Sequence, residues 1–139
     1  MISIEYYSEE IPGLPLASLV SSLPLLISEE SHALGNITLV FCTDDELLEL
    51  NKEYLSHDYY TDIITFAHHT ETDKTISGEM YISIDRVKSN ASAYGVSFIA
   101  ELRRVMVHGV LHLCGYHDKT EEETARMRME ENRLLVLLD

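Results

Sequence analysis

The segment "HGVLHLCGYHD", residues 108–118, gathers three histidines, a cysteine and an aspartate within eleven positions. His108 and His112 are four residues apart, so on an α-helix they share one face about 6 Å apart along the axis and can direct two imidazoles at one ion. A third ligand requires the chain to turn back. Gly115 supplies that turn, because glycine readily adopts the left-handed conformation that ends helices. The spacing predicts a metal site at the end of a helix.

After the turn, His117 and Asp118 are the alternative third ligands. Only one of them is expected to bind the ion, because neighbours in an extended segment point in opposite directions. The pattern H-x-x-x-H-x-x-G-x-x-[H/D] resembles the long zinc motif of metalloproteases, in which the third ligand lies six residues after the second. This register favours Asp118, and His117 stays the alternative. Zinc accepts carboxylate oxygen as well as imidazole nitrogen, and three protein ligands leave a fourth position for water. Cys114 points away around the helix and is expected to pack in the core.

The chemistry expected of such an ion is hydrolysis, because a bound cation activates water and polarises a phosphoryl or carbonyl oxygen. In zinc proteases of the H-E-x-x-H type, the residue after the first histidine is a glutamate that acts as general base, whereas this chain has Gly109 there. A zinc metalloprotease is therefore the weaker alternative. Gly109 either lets the helix pack closely or leaves room for a bulky substrate.

Length and composition predict one globular domain over residues 1–139, since 45% of the residues are hydrophobic. No apolar run approaches the roughly 20 residues that cross a bilayer, and the amino terminus is acidic instead of carrying the basic flank of a signal peptide. These features favour a cytoplasmic protein without a membrane partner. Two cysteines, Cys42 and Cys114, are too few for a disulfide framework.

The formal charge of −14 argues against a protein that coats nucleic acid through a general positive field, and no DNA partner is expected. Residues 86–119 nevertheless carry five basic and two acidic side chains, which is compatible with a small basic site. Within this stretch, Arg104 precedes His108 by four residues and so lies on the same side of the helix. Arg104 is a candidate phosphate contact, with a surface salt bridge to Glu101 as the alternative role.

Hydrophobic periodicity predicts a mixed order of strands and helices. Strands are expected at 2–7, 37–43, 62–66 and 79–84, and helices at about 16–31, 44–55, 85–94, 97–114 and after Thr120. The strands at 62–66 and 79–84 suit a hairpin, and capping boxes begin at Thr43 and Thr120. The first helix is expected to end before Gly35. The predicted fold class is α/β: a single compact domain with a small mixed β-sheet and helices packed around it.

Two groups of polar residues are given no role in the site. His57, His68 and His69 lie in or near the loops that flank the third strand and are expected to be exposed to solvent. The run "TEEETARMRMEE", residues 120–131, is expected to form a solvated helix face.

The cluster resembles the signature H-G-x-L-H-L-x-G-Y-D-H of the YbeY family, bacterial metal-dependent endoribonucleases that act in ribosomal RNA maturation. Two further segments are similar to the family. "LNKEYLSHDYYTDIITF", residues 50–66, resembles L-N-x-x-Y-R-x-x-D-x-x-T-D-V-L-S-F, and "GEMYISID", residues 78–85, resembles its G-D-I-x-I-S segment. The firm motifs extend from about Thr43 to Asp118.

The resemblance implies a compact α/β fold, one Zn²⁺ ion held by three ligands, and single-strand-specific cleavage of RNA. Its implied context is the ribosomal small subunit, with 16S rRNA maturation and ribosome quality control. By position, His108 and His112 are the first two ligands, and Asp118 falls where the family usually has histidine. Leu55 stands where the family has an arginine that is expected to contact substrate phosphate. Arg104 is the candidate to provide this phosphate contact instead.

In an alternative function of a different class, the protein binds the ion but does not catalyse a reaction. In that interpretation the chain is a metal-stabilised ribosome-assembly factor whose acidic surface binds proteins. The net charge of −14 and the apolar Leu55 favour it.

Overall fold

The computed structural model describes residues 1–138, in which four strands form one sheet and five helices surround it. The strands are β1 (Ile2–Tyr6), β2 (Ala33–Cys42), β3 (Ile63–Ala67) and β4 (Thr75–Ser83). The helices are α1 (Leu16–Glu29), α2 (Asp44–Leu55), α3 (Ile84–Tyr94), α4 (Phe98–Leu113) and α5 (Glu121–Val136).

The sheet is mixed, with the strand order β1-β2-β4-β3. β1, β2 and β4 run parallel, and β3 is antiparallel to β4, so the expected hairpin is confirmed. α1 provides the long connection that parallel neighbours such as β1 and β2 require. The α/β class with a single compact domain and a small mixed sheet is confirmed.

The two faces of the sheet carry unequal cores, as the alternation of side chains along a strand requires. Ile37, Leu39 and Phe41 of β2 point to the larger core, which α1 and α4 cover. Cys42 of β2 points the other way and packs with Leu47 of α2 in a smaller core. The larger core therefore supports α4, the helix on which the histidines lie.

Local sequence signals explain most helix boundaries. Both capping boxes are confirmed: Thr43 caps α2 with Glu46, and Thr120 caps α5 with Glu123. The predicted end of α1 near Ser31 is close to the observed end at Glu29; Ser31 takes the left-handed conformation (φ 62°), and Gly35 already lies in β2. β2 is thus longer than predicted, and its pairing with β4 shifts register between Leu34 and Ile37.

Among the described residues, no helix combines the length and the apolar character that would be needed to cross a membrane.

Candidate metal centre

The end of α4 brings the two predicted histidines together. The Nε2 atoms of His108 and His112 lie 3.0 Å apart, and the ring centroids are 4.6 Å apart. The helix ends in a Schellman turn: Tyr116 N–H donates to the carbonyl of Leu111 and Gly115 N–H to that of His112, both at 3.0 Å. Gly115 has φ 98°, a conformation that disfavours other residues, so glycine permits the chain to turn back here.

The turn places Asp118 beside both imidazoles. Its Oδ2 lies 3.3 Å from the Nε2 of His108 and 3.3 Å from that of His112. One ligand atom from each of the three residues lies within 4.8 Å of the others, so the three side chains form a cluster that can hold a metal ion. Asp118 is the most exposed of the three, at 40% of its side chain, and the cluster therefore faces solvent on that side.

His117, the alternative third ligand, lies elsewhere. It is exposed and lines a small cavity of about 140 Å³ on the other side of the turn, together with His69 and Cys114. Successive residues after Gly115 thus point to opposite sides, as expected of an extended segment. Cys114 is half-buried and packs against the larger core.

Hydrogen bonds at Nδ1 fix the orientation of both rings. His112 Nδ1 donates to the carbonyl of Tyr116 at 3.0 Å, and His108 Nδ1 donates to Oε2 of Glu131 at 2.7 Å. With a proton on each Nδ1, both Nε2 lone pairs are directed toward Asp118. Two lone pairs 3.0 Å apart repel each other unless a cation lies between them, and metal-binding histidines commonly carry such partners on the other nitrogen.

The electrostatics of the pair favour one positive charge held between the rings. Burial by itself would lower the pKa of His108, but the hydrogen bond and charge of Glu131 raise it above its ordinary value. Burial, and then the charge of His108, lower the pKa of His112. The two rings therefore do not readily carry a positive charge at the same time.

Glu131 is the main residue of the site that sequence reasoning missed. Residues 120–131 were expected to form a solvated face, but this is wrong for the α5 residues Met127 and Glu131, which are 2% and 5% exposed. The spacing of Met127, Glu131 and Leu134 is that of one helix face, so a carboxylate in an apolar stripe was the available signal.

Arg104 also contacts Glu131. Its guanidinium donates to Oε1 of Glu131 and to Oδ1 of Asn132, each at 2.9 Å. The alternative prediction of a salt bridge from Arg104 to Glu101 is wrong. The ion pair of Arg104 is with Glu131, so it joins α4 to α5 instead of linking neighbouring turns of α4. The hydrogen bonds from His108 and Arg104 offset the effect of burial and lower the pKa of Glu131 below its ordinary range.

Two grooves meet at the cluster. One, of about 410 Å³, lies between α4 and α5 and is lined by Arg104, His108 and Asp118 among others. The other, of about 290 Å³, runs along β3 and is lined by Leu55 and Ile63 before it reaches the same histidines. Leu55 is 41% exposed, so the second groove presents an apolar wall where the YbeY signature suggests an arginine.

Asp62 lines both grooves and was not singled out by its sequence pattern. Its carboxylate accepts a hydrogen bond from Asn90 at 3.4 Å, and burial raises its pKa. It thus places a carboxyl group where the two grooves join.

Gly109 contributes to packing. A Cβ atom at this position would lie 2.6 Å from Sδ of Met80 and 2.7 Å from Cδ1 of Ile63. The glycine therefore lets α4 lie close to the sheet.

The three loop histidines, His57, His68 and His69, differ in their exposure to solvent. His57 and His68 are exposed, as expected. The prediction is wrong for His69, which is half-buried: its Nε2 donates to the carbonyl of Leu113 at 2.8 Å, and its Nδ1 lies 3.1 Å from the backbone nitrogen of Ser77. His69 thus ties the β4 strand to the end of α4.

The chain resembles known proteins over nearly its whole length. The family profile described as Endoribonuclease YbeY matches residues 15–139. Proteins named endoribonuclease YbeY from Parabacteroides distasonis and Phocaeicola vulgatus are each 41% identical to this chain. The alignments cover 99% of it in both cases, and 96% and 99% of the relatives. A solution structure of a Thermotoga maritima protein superposes with a TM-score of 0.65 at 28% identity, covering 96% of this chain and 89% of that one. The family match and the near-complete alignments show that the chain belongs to the YbeY family of endoribonucleases.

Proposed function

We propose that this protein is a zinc-dependent, single-strand-specific endoribonuclease that binds its ion through His108, His112 and Asp118. The observation that supports this most directly is the convergence of two Nε2 atoms and one carboxylate oxygen beside an open groove. Family membership supports RNA as the substrate. The same cluster without an adjoining groove would favour a structural ion.

The donor set fits zinc. Nitrogen and oxygen ligands about 2.1 Å from one tetrahedral ion stand roughly 3.4 Å apart. The three separations of 3.0, 3.3 and 3.3 Å are close to this value without any rearrangement. Two imidazoles and one carboxylate also suit the borderline character of zinc, and three protein ligands leave a coordination position open.

When bound, the ion supplies an activated water and positive charge toward a phosphoryl oxygen. The side chains of this protein orient the substrate around it. Glu131 and the Tyr116 carbonyl hold the two imidazoles in one tautomer. Arg104 lies on the groove wall and uses two of its five N–H donors on Glu131 and Asn132, so it retains donors for a substrate phosphate.

The biological role that we propose is maturation of 16S rRNA and ribosome quality control in the cytoplasm, with the ribosomal small subunit as partner. Its support is the family resemblance of the three motifs and the match over residues 15–139. Depleting the protein and mapping the ends of 16S rRNA tests this role. Unchanged 16S rRNA ends would contradict this biological role but not the proposal that the protein cleaves RNA.

The test of activity is cleavage of a fluorescent single-stranded RNA by purified, zinc-loaded protein. We expect His112→Ala to abolish cleavage and His57→Ala to leave it unchanged, because His57 is an exposed histidine that stacks on Tyr59 outside the cluster. Double-stranded RNA and single-stranded DNA are expected to remain intact. Equal cleavage by the His112 variant and the wild type would contradict the proposal.

The third ligand is tested separately by zinc content. We expect Asp118→Ala to lose zinc and His117→Ala to retain it, since His117 lies on the other side of the turn. The reverse result would assign the third position to His117.

A further inference from the structure

The groove beside the cluster continues away from it between α4 and α5. A second cavity of about 660 Å³ shares four lining residues with the first: Tyr94, Glu101, Arg104 and Arg128. The two cavities form one channel, here called the α4–α5 groove, which leads from His108 to Arg103 and Val136. From His108 to Arg103 the helix rises roughly 7.5 Å. The groove is therefore a track for an extended ligand.

The outer part of this groove is lined by Arg103, Arg104 and Arg128, with Glu101 as its one acidic residue, whereas Asp62 and Asp118 line the part beside the cluster. The two glutamates of the groove are buried: Glu101 is 5% exposed, and Glu131 is 5% exposed and held by Arg104 and His108. Arg128, by contrast, has 61% of its side chain exposed, and Arg103 lines the outer part of the groove. Burial raises the pKa of Glu101. Despite the overall charge of −14, the outer part of the groove therefore carries more basic than acidic side chains, although Arg104 and Arg128 also contact Glu131.

An exposed aromatic ring lies on the same track. Tyr94 is the last residue of α3 and is 65% exposed, and it lines both parts of the groove. Base stacking on such a ring is worth about 1–3 kcal/mol per base and tolerates any base. An aromatic ring next to two arginines suits a single strand, whose bases are free to stack.

The opposite approach to the cluster has none of these features. The groove along β3 is lined by Leu55 and Ile63, and its polar members are Thr61, Thr65 and Asp62 besides the cluster itself. Phosphate groups have no cationic side chain to contact among these lining residues. The two approaches therefore differ in charge.

We propose that the α4–α5 groove is the substrate track: it holds single-stranded RNA on one side of the cleaved bond, with phosphates on Arg103 and Arg128 and a base stacked on Tyr94. The assignment rests on the proposed endoribonuclease function and gives that function a direction. The arginines supply, on the α4–α5 side, the phosphate contacts that Leu55 does not provide on the β3 side.

The experiment measures binding apart from cleavage. A fluorescein-labelled single-stranded RNA decamer is titrated with the full chain in the presence of a chelator, and the anisotropy gives the affinity at several salt concentrations. Arg103→Ala and Arg128→Ala are each expected to weaken binding about fivefold or more at low salt and to reduce the slope of log K against log salt by about 0.7. Tyr94→Ala is expected to weaken binding about fivefold or more, and Tyr94→Phe to restore it.

Matched controls separate this track from general charge and aromatic effects. Lys74→Ala removes an exposed cation from the loop just before β4, outside the residues that line the groove. Tyr54→Ala removes a ring that is 61% exposed on the α2 side of the sheet. Both are expected to bind RNA as the wild type does, and far-UV circular dichroism checks that every variant is folded.

If the groove variants bind RNA as tightly as the two controls do, the proposal that the α4–α5 groove is the substrate track is wrong. In that case RNA cleavage by the wild type would still support the proposed function. If the groove variants lose affinity as expected while zinc-loaded wild type cuts no RNA, the track stands as an RNA-binding site and the catalytic proposal fails.

Discussion

Glu131 is the residue on which the geometry of the candidate site depends most. It is 5% exposed, yet it accepts hydrogen bonds from His108 and Arg104, and Arg128 lies 3.3 Å from it. A buried carboxylate needs such partners because desolvation of an unpaired charge is costly. Its side chain connects the ring of His108 on α4 to α5.

We predict that Glu131→Gln weakens zinc binding roughly 10–100-fold, because an amide orients His108 less firmly and leaves its Nδ1 with a weaker acceptor. Competition with a chromophoric chelator measures the affinity. Glu122→Gln, which changes an exposed acidic residue in the first turn of α5, is the control and is expected to bind zinc normally. Unchanged affinity in Glu131→Gln would show that the ring is held by other contacts.

The two cysteines are predicted to be inert. Burial raises the pKa of Cys42 and of Cys114 to about 12, so the reactive thiolate is scarce near neutral pH. Iodoacetamide is expected to modify neither thiol in the folded protein at pH 8 and both after denaturation, as counted by mass spectrometry. Rapid labelling of native Cys114 would contradict the assigned packing of the turn.

At the scale of elements, α4 determines where the cluster lies. It contacts β3 and β4 on the sheet and also α1, α3 and α5. The close approach at Gly109 sets the distance of the helix from Met80 and Ile63. Because His108 precedes this glycine directly, displacement of the helix also displaces a candidate metal ligand.

We predict that Gly109→Val destabilises the protein by about 1–3 kcal/mol, since the added carbons overpack a region where Met80 is fully buried. Urea denaturation measures the loss. Ala100→Val is the matched control on an exposed position of the same helix and is expected to cost only about 0.5 kcal/mol from helix propensity. Equal stability of the two variants would mean that α4 has room to move.

How far the sequence predicts the site also depends on the element concerned. His108, His112 and the turn at Gly115 lie on one helix end, so spacing alone predicts their arrangement, and both capping boxes are equally local. Glu131 and Asp62 reach the site from other elements, and a single sequence contains no direct signal for such contacts. The same reason explains Arg104, whose partner lies 27 residues away instead of three.

At the scale of the whole molecule, the hydrophobic core and the candidate metal centre are separate. The larger core packs α1, α4 and the sheet and includes none of the three clustered side chains. α5 is joined to the rest by buried Met127 and Leu134 as well as by Glu131. The fold therefore has sources of stability other than an ion.

We predict that chelation leaves the protein folded and abolishes RNA cleavage. The free energy of unfolding is expected to fall by only the binding contribution, about 2.7 kcal/mol at a free zinc concentration 100 times the dissociation constant, and the melting temperature falls accordingly. Circular dichroism and a thermal melt with and without chelator measure this. Unfolding on chelation would favour the metal-stabilised assembly factor, because the binding energy would then be folding energy.

The Schellman turn after α4 has a consequence for how the protein is made. The three clustered residues occupy positions 108–118, whereas Glu131 follows them on α5. As the newly made chain folds, α4 and its turn can bring the three donors together before α5 docks and adds the supporting carboxylate. Early capture of a cation would then be loose and exchangeable, and tight retention would begin when the last helix docks.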